Sequence, residues 1–163
     1  MTDILNSLLD DHAEMNRRFD VFEEESLNAC RSDRLDVPAL KWVLDYLLNY
    51  YEPFHHPKEG CILHQLYRVE PQVGQHFHFS DFDVEHRELF ERTRDLASSV
   101  YLLIEDGPAP PPWIAKWAMS VFDAQRLHAR LEEQQLFPVV MDAFGARQWT
   151  EIEDELFAAR VRA

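Results

Sequence analysis

The sequence predicts an all-α protein: an up-down-up-down four-helix bundle with a short extra helix at the carboxyl end. Two observations support this fold class. Apolar residues recur with the 3.6-residue period of an amphipathic helix over four long stretches, and no stretch shows the alternating pattern of a strand. We therefore expect a single domain over residues 1–163, with the bundle at about 3–143 and the extra helix at about 150–161.

The first two long helices are predicted over residues 3–29 and about 39–68. A polar connection, "RSDRLDVP", separates their apolar patterns. Pro53 and Pro57 lie inside the second helix, where each removes a backbone hydrogen-bond donor. This predicts a kink near residues 52–57.

The third helix is predicted to follow a connection with the sequence "VEPQVGQHFHFS". Ser80 and Asp83 have the spacing of a capping box, which would begin the third helix there. The run "EDGPAPPP" must end it, because no helix continues through so many prolines. The fourth long helix is then predicted from about Pro112 to Ala143.

The fourth helix is expected to end at Gly145, because glycine is the favoured residue just beyond a helix carboxyl end. Thr150 and Glu153 repeat the capping-box spacing. They predict that the short last helix begins at about residue 150.

Charge and cysteine content limit the function classes. A formal charge of -14 and a pI near 4.8 oppose binding to nucleic acid or anionic membranes but favour binding of cations. Cys30 and Cys61 lack the C-x-x-C spacing, and the sequence has no secretory leader and no apolar run near 18 residues. These features predict a cytoplasmic protein with reduced thiols.

Two histidine and glutamate pairs occupy corresponding places in the second and fourth helices: His55 with Glu59, and His128 with Glu132. Residues at this spacing lie about 40° apart around a helix, so imidazole and carboxylate can reach one point together. Eight histidines and 30 acidic residues would give about 1.5 such pairs by chance. The spacing alone therefore has little weight.

The register of the histidines is stronger evidence. His12 lies on the apolar face of the first helix and His86 on that of the third, so each of the four helices directs a ligand type inward. Burying these groups costs several kcal/mol unless they are paired or bind a metal. A single buried histidine is ordinary, but one per helix favours a metal site. Four nitrogens and two carboxylates suit two octahedral ions bridged by both glutamates, with iron or manganese favoured and zinc as an alternative.

These residues resemble the hemerythrin-like, or HHE cation-binding, domain family. The matching segments span residues 12–138 in the family's order and read "LLDDHAEM", "HHPKEGCIL", "DVEHRELF" and "HARLEEQQLFP". The resemblance implies a non-haem di-iron centre in which the two glutamates bridge the ions. The ligands it implies are His12, His55, Glu59, His86, His128 and Glu132.

The sequence departs from the family pattern at two places. Oxygen carriers of the family have a second histidine one turn from the one on the third helix, whereas Phe82 and Phe90 flank His86 here. Gly60 replaces a glutamate that often follows the HHE pair, and His56 is a candidate substitute ligand, although it lies about 100° around an α-helix from His55. Without His56, the ligands fill eight of twelve octahedral positions, which speaks against bulk oxygen carriage.

Other polar residues are assigned to supporting or solvent positions. We expect three glutamates to face solvent or orient ligands from outside, namely Glu14, Glu85 and Glu133. Three further histidines are expected outside the site, His64 at the surface and His76 and His78 in a connection.

The leading functional prediction is a di-iron protein that binds a small diatomic molecule or peroxide for sensing, stress response or iron handling. A di-iron oxidase or a peroxide-decomposing enzyme is the alternative, since both need open coordination positions. A metal-free interaction bundle is the third hypothesis. The sequence does not predict an oligomeric state.

Overall fold

The computed structural model describes residues 3–29, 35–76, 79–106 and 111–162, and every regular element among them is helical. The all-α fold class is confirmed. The elements, in chain order, are Asp3–Ala29, Val37–Tyr46, Leu47–His55, His56–Val69, Pro71–His76, Phe79–Asp106, Pro112–Leu131, Glu132–Leu136, Phe137–Ala143 and Ala146–Arg162. Three consecutive elements, from Val37 to Val69, form the second long helix, and three more, from Pro112 to Ala143, form the fourth.

Two apolar clusters show that neighbouring helices run antiparallel. The upper cluster joins the end of the first helix, the start of the second, the end of the third and the start of the fourth; it includes Phe19, Val43, Val100 and Phe122. The lower cluster joins the opposite ends and includes Leu8, Leu66, Phe82 and Phe137. This up-down-up-down order leaves a layer between the clusters, where the polar residues of the site lie.

The second long helix changes its winding in the middle. Asp36 caps its start by accepting a hydrogen bond from the Ala39 backbone N–H at 2.8 Å. Over Leu47–His55, which includes Pro53, the helix is a π-helix instead of an α-helix. The irregularity predicted from the prolines is therefore a widened turn, a form often found at functional sites.

The fourth long helix has a similar segment, which the sequence analysis did not predict. Glu132–Leu136 is π-helical and ends just before Pro138. A proline cannot donate the regular backbone hydrogen bond, so both widened turns lie beside positions where the α-helical pattern is interrupted. His55 is the last residue of the first widened turn, and Glu132 is the first residue of the second. Each widened turn therefore contains one of the predicted metal ligands.

The predicted start of the last helix is wrong. The helix is Ala146–Arg162, and Thr150 lies inside it with its hydroxyl bonded to the Ala146 carbonyl at 3.1 Å. Gly145 precedes the helix, and its N–H donates to the Gln148 side chain at 3.0 Å. The capping interaction therefore begins at Gly145, and it uses glutamine three residues on.

The connection between the second and third helices contains a short helix, Pro71–His76, where the sequence predicted no regular structure. The third helix begins at Phe79. The side chains of the predicted capping pair Ser80 and Asp83, and of His76 and His78, lie outside the described part of the chain. Within the described ranges, no helix is both long and apolar enough to span a bilayer.

Candidate metal centre

The layer between the two apolar clusters holds five histidines and two glutamates. Their ligand atoms fall into two groups, in each of which all atoms lie within 4.8 Å of one another. We call His12 and His55 the two-histidine subsite. We call His56, His86 and His128 the three-histidine subsite. All six residues predicted from the sequence are thus brought together, and His56 joins them.

The two-histidine subsite is deeply buried. His12 is 1% exposed and His55 is fully buried. Their Nε2 atoms face each other at 3.1 Å. Two ligands at about 2.1 Å from one octahedral ion are about 3 Å apart, so this separation suits neighbouring ligands of a single ion.

Glu59 reaches both subsites with its two oxygens. Its Oε1 lies 2.7 Å from the His55 Nε2 and 3.8 Å from the His12 Nε2. Its Oε2 lies 3.4 Å from the His86 Nε2. This is the arrangement of a carboxylate that bridges two ions.

Glu132 does the same from the opposite side of the bundle. Its Oε2 lies 3.3 Å from the His12 Nε2, whereas its Oε1 lies 3.0 Å from the His128 Nε2 and 3.6 Å from the His86 Nε2. Both carboxylates are fully buried. The two subsites are therefore adjacent, and Glu59 and Glu132 each reach both of them.

Many ligand atoms of the two subsites lack a protein partner in hydrogen-bonding geometry among the described residues. Among the described residues, the buried polar atoms without one include both oxygens of Glu59 and Glu132 and the Nε2 atoms of His56, His86 and His128. With neutral histidines, each of these unpaired atoms would cost about 1–3 kcal/mol. Metal ions would satisfy all of them at once, so the residues present fit a two-metal centre.

Carboxylates outside the centre orient four of the five histidines. The pairs are His12 with Glu133 at 2.8 Å, His55 with Asp11 at 3.2 Å, His56 with Glu52 at 2.8 Å and His128 with Glu85 at 3.1 Å. Each contact uses the ring Nδ1. Because a carboxylate can only accept, each Nδ1 donates its proton outward, and a ring without a second proton then presents the Nε2 lone pair toward the centre.

Only part of this outer layer could be predicted from the sequence. Of the two roles expected for the three glutamates, Glu85 and Glu133 contact ligand candidates, and Glu14 faces solvent, where it pairs with Arg17 at 2.7 Å. Asp11 and Glu52 were missed. A signal for Glu52 exists, because it stands four residues before His56 and so lies on the same helix face.

Asp11 is itself held by a buried network. Lys58 donates to its Oδ2 at 2.7 Å, and Tyr50 donates to its Oδ1 at 3.0 Å. Burial disfavours the charged carboxylate, but the contacts with His55 and Lys58 outweigh burial and lower the pKa of Asp11 to about 2. Asp11 is therefore a permanent anion behind His55.

His56 lies beside His86, where the third helix has no second histidine. Its ring stacks on that of His86 with centroids 4.1 Å apart and an interplanar angle of 10°. In a regular α-helix His55 and His56 would diverge by about 100°, but the widened turn ends between them and both face the centre. Gly60 has no side chain and therefore adds no ligand to the centre; a Cβ there would meet nothing within 4 Å. His64 is 61% exposed and lies away from the centre, as predicted.

A sequence profile of the hemerythrin HHE cation-binding domain matches residues 3–140. The chain belongs to this family. The match covers the first three long helices, the fourth as far as Val140 and all seven side chains of the centre, while the last helix lies beyond it. Comparisons with curated proteins and with solved structures gave no match.

The electrostatics of this hemerythrin domain prepare it to exchange protons for cations. Burial disfavours the charged imidazoles, but the neighbouring carboxylates outweigh it and raise the pKa of His12 to about 10 and that of His128 to about 9. The pKa of Glu132 lies well below its usual value despite burial, because three histidines surround it. The metal-free centre is thus held together by protonated histidines and ionised glutamates.

Metal binding to this hemerythrin domain should release protons. At pH 7, below the raised pKa values of His12 and His128, both rings are protonated without metal, and each must lose its proton to bind an ion. His55, whose pKa is also raised, adds to this number, so we expect at least two protons released per chain at pH 7 and an apparent affinity that rises with pH up to about 10. Calorimetric titration in buffers of different ionisation heat measures the number. A binding heat that is the same in every buffer would contradict the assignment.

Proposed function

We propose that this protein binds two non-haem iron ions in the adjacent subsites. The proposal is carried by the position of the two glutamates. Glu59 and Glu132 each direct one carboxylate oxygen toward the two-histidine subsite and the other oxygen toward the three-histidine subsite. Imidazole and carboxylate donors suit iron or manganese, with zinc as a further candidate, and Cys61 is not part of the ligand groups.

The donor count leaves room for a small ligand. Five nitrogens and four carboxylate oxygens would fill nine of the twelve positions of two octahedral ions, against eight without His56. Three of the nitrogens belong to one subsite and two to the other, so the two-histidine subsite has more open positions. We therefore expect a small ligand to bind at the open positions of the two-histidine subsite. Bound iron would supply a redox-active Lewis acid for it.

The proposed role is binding of dioxygen, nitric oxide or peroxide for sensing, stress response or iron handling. The sequence spoke against bulk oxygen carriage because the third helix lacks a second histidine. His56 would supply a nitrogen in its place, so this reason no longer holds. A structural reason replaces it: Asp11, Glu52, Glu85 and Glu133 surround the histidines with negative charge, which favours ferric over ferrous iron. A centre that oxidises readily suits a sensor better than a reversible carrier.

Protein purified from iron-replete cells tests this proposal. We expect about two iron ions per chain and an optical spectrum that changes when the ferrous protein meets oxygen or nitric oxide. Fewer than about one iron per chain, together with a spectrum that neither gas alters, would contradict it.

A di-iron oxidase or peroxide-decomposing enzyme is the second candidate, and a cavity that opens at the surface favours it. A cavity of about 150 Å³ lies between the third and fourth helices and is lined by residues that include Glu85 and His128. The Glu85 carboxylate is 47% exposed and bonds the buried His128 ring, so it links solvent to the centre. Peroxide turnover that disappears in Glu132→Ala, with the bundle still folded, would support this function. Stoichiometric binding without turnover would count against it.

A further inference from the structure

A tyrosine of the second helix buries its hydroxyl group without a partner among the described residues. Tyr51 is fully buried, and no described residue lies in hydrogen-bonding geometry with its hydroxyl oxygen. Burying an unpaired hydroxyl costs about 1–3 kcal/mol, and phenylalanine would fill the same space without that cost. An unpaired hydroxyl at such a position needs an explanation.

The position of the ring connects Tyr51 with the candidate centre. It stacks on the His55 imidazole with centroids 4.0 Å apart and an interplanar angle of 18°. It also lies 6.4 Å from the His12 ring and edge-on to His56 at 5.2 Å. Tyr51 therefore covers the two-histidine subsite and touches the other one.

Chemistry separates Tyr51 from the other unpaired atoms. Among the described residues, the unpaired buried side-chain atoms outside the seven candidate ligands are the Tyr51 hydroxyl, Glu52 Oε1 and Gln125 Oε1. An ionised carboxylate and an amide oxygen can only accept a hydrogen bond, whereas a phenol can donate one. A phenol with its ordinary pKa of about 10 keeps its proton at neutral pH.

We propose that the Tyr51 hydroxyl donates a hydrogen bond to the small ligand at the open positions of the two-histidine subsite. The inference rests on the proposed function, because it requires the ions to be bound. It assigns the ligand class: small anions, or diatomic molecules that gain negative charge on binding, with a lone pair on the outer atom. Such a donor slows dissociation of these ligands, since the bond must break before they leave.

Azide binding to the ferric protein tests this role, with Tyr51→Phe as the variant. We expect an unchanged iron content, an unchanged spectrum without azide and an azide dissociation constant raised about tenfold, or about 1.4 kcal/mol. The azide stretch of the wild type should shift in D₂O by resonance Raman, and that of the variant should not. The metal-free variant should be as stable as the wild type or more so, because the lost hydroxyl has no partner.

Tyr101→Phe is the matched control. Its hydroxyl donates to Asp45 at 2.6 Å near the upper cluster, so the same substitution there should leave azide affinity unchanged. Equal azide affinity in wild type and Tyr51→Phe overturns the inference but leaves the di-iron proposal standing. A changed spectrum without azide, or loss of iron, makes Tyr51 a metal ligand and overturns its role as a donor. A wild type that contains no iron or binds no azide overturns the proposed function and this inference with it.

Discussion

Glu59→Gln should lose both metal ions. Glutamine keeps the volume of the side chain but offers one acceptor oxygen and no charge, so it cannot bridge the two subsites. The remaining carboxylate, Glu132, would have to neutralise two cations alone in a fully buried layer. We expect iron to fall from about two ions per chain to about zero. Metal analysis after purification under identical conditions measures the change.

Glu155→Gln is the control for that experiment. Glu155 also contacts a histidine, His64 at 3.6 Å, but both side chains are largely exposed and lie outside the centre. The control should keep the wild-type iron content. Wild-type iron in Glu59→Gln would contradict the bridging assignment. Loss of iron in both variants would show that a general charge effect, not the bridge, is responsible.

Removal of metal should lower the thermal stability markedly. Ions that bind only the folded chain stabilise it by about 4 kcal/mol per site when free metal is about 1,000 times the dissociation constant. For a chain of this size we therefore expect a strong chelator to lower the melting temperature by about 10 °C or more. Differential scanning calorimetry with and without chelator measures the shift.

The Glu59→Gln variant also serves as the control for chelation. Since it should contain no iron, its melting temperature should not respond to chelator. A wild-type melting temperature that is equally indifferent would favour the metal-free interaction bundle. The metal-free bundle should nevertheless fold, because protonated histidines and ionised glutamates pair in the empty layer.

The sequence predicts the bundle well because its signals are local and repeated. Leu8, Met15 and Phe19 fix the inward face of the first helix, and His12 is buried because it shares that face. His86 follows by the same reasoning on the third helix. The inward direction of side chains in regular α-helices could therefore be predicted from the sequence.

His56 could not be placed in this way, since its direction depends on a change of winding. The π-helix of Leu47–His55 ends between two adjacent histidines that both face the interior, whereas neighbours in a regular α-helix lie about 100° apart. Asp11 was missed for a related reason. It acts through a contact with His55 on another helix, which no spacing within its own helix reveals.

The start of the last helix shows a different limit. Thr150 and Glu153 fit a full capping box, whereas Gly145 and Gln148 supply only the contact from the backbone N–H to the side chain, yet Trp149 and Ile152 pack on the lower cluster. Their burial extends the helix back to Ala146. Tertiary contacts outweigh local capping signals at such boundaries.

Anomalous diffraction at the iron absorption edge, from crystals of iron-loaded protein, tests the two-ion assignment most directly. The two-ion assignment predicts two anomalous peaks about 3–4 Å apart between Glu59 and Glu132. One peak should lie beside His12 and His55, and the other beside His56, His86 and His128. A single peak, or two peaks of which neither lies between the two glutamates, would contradict it.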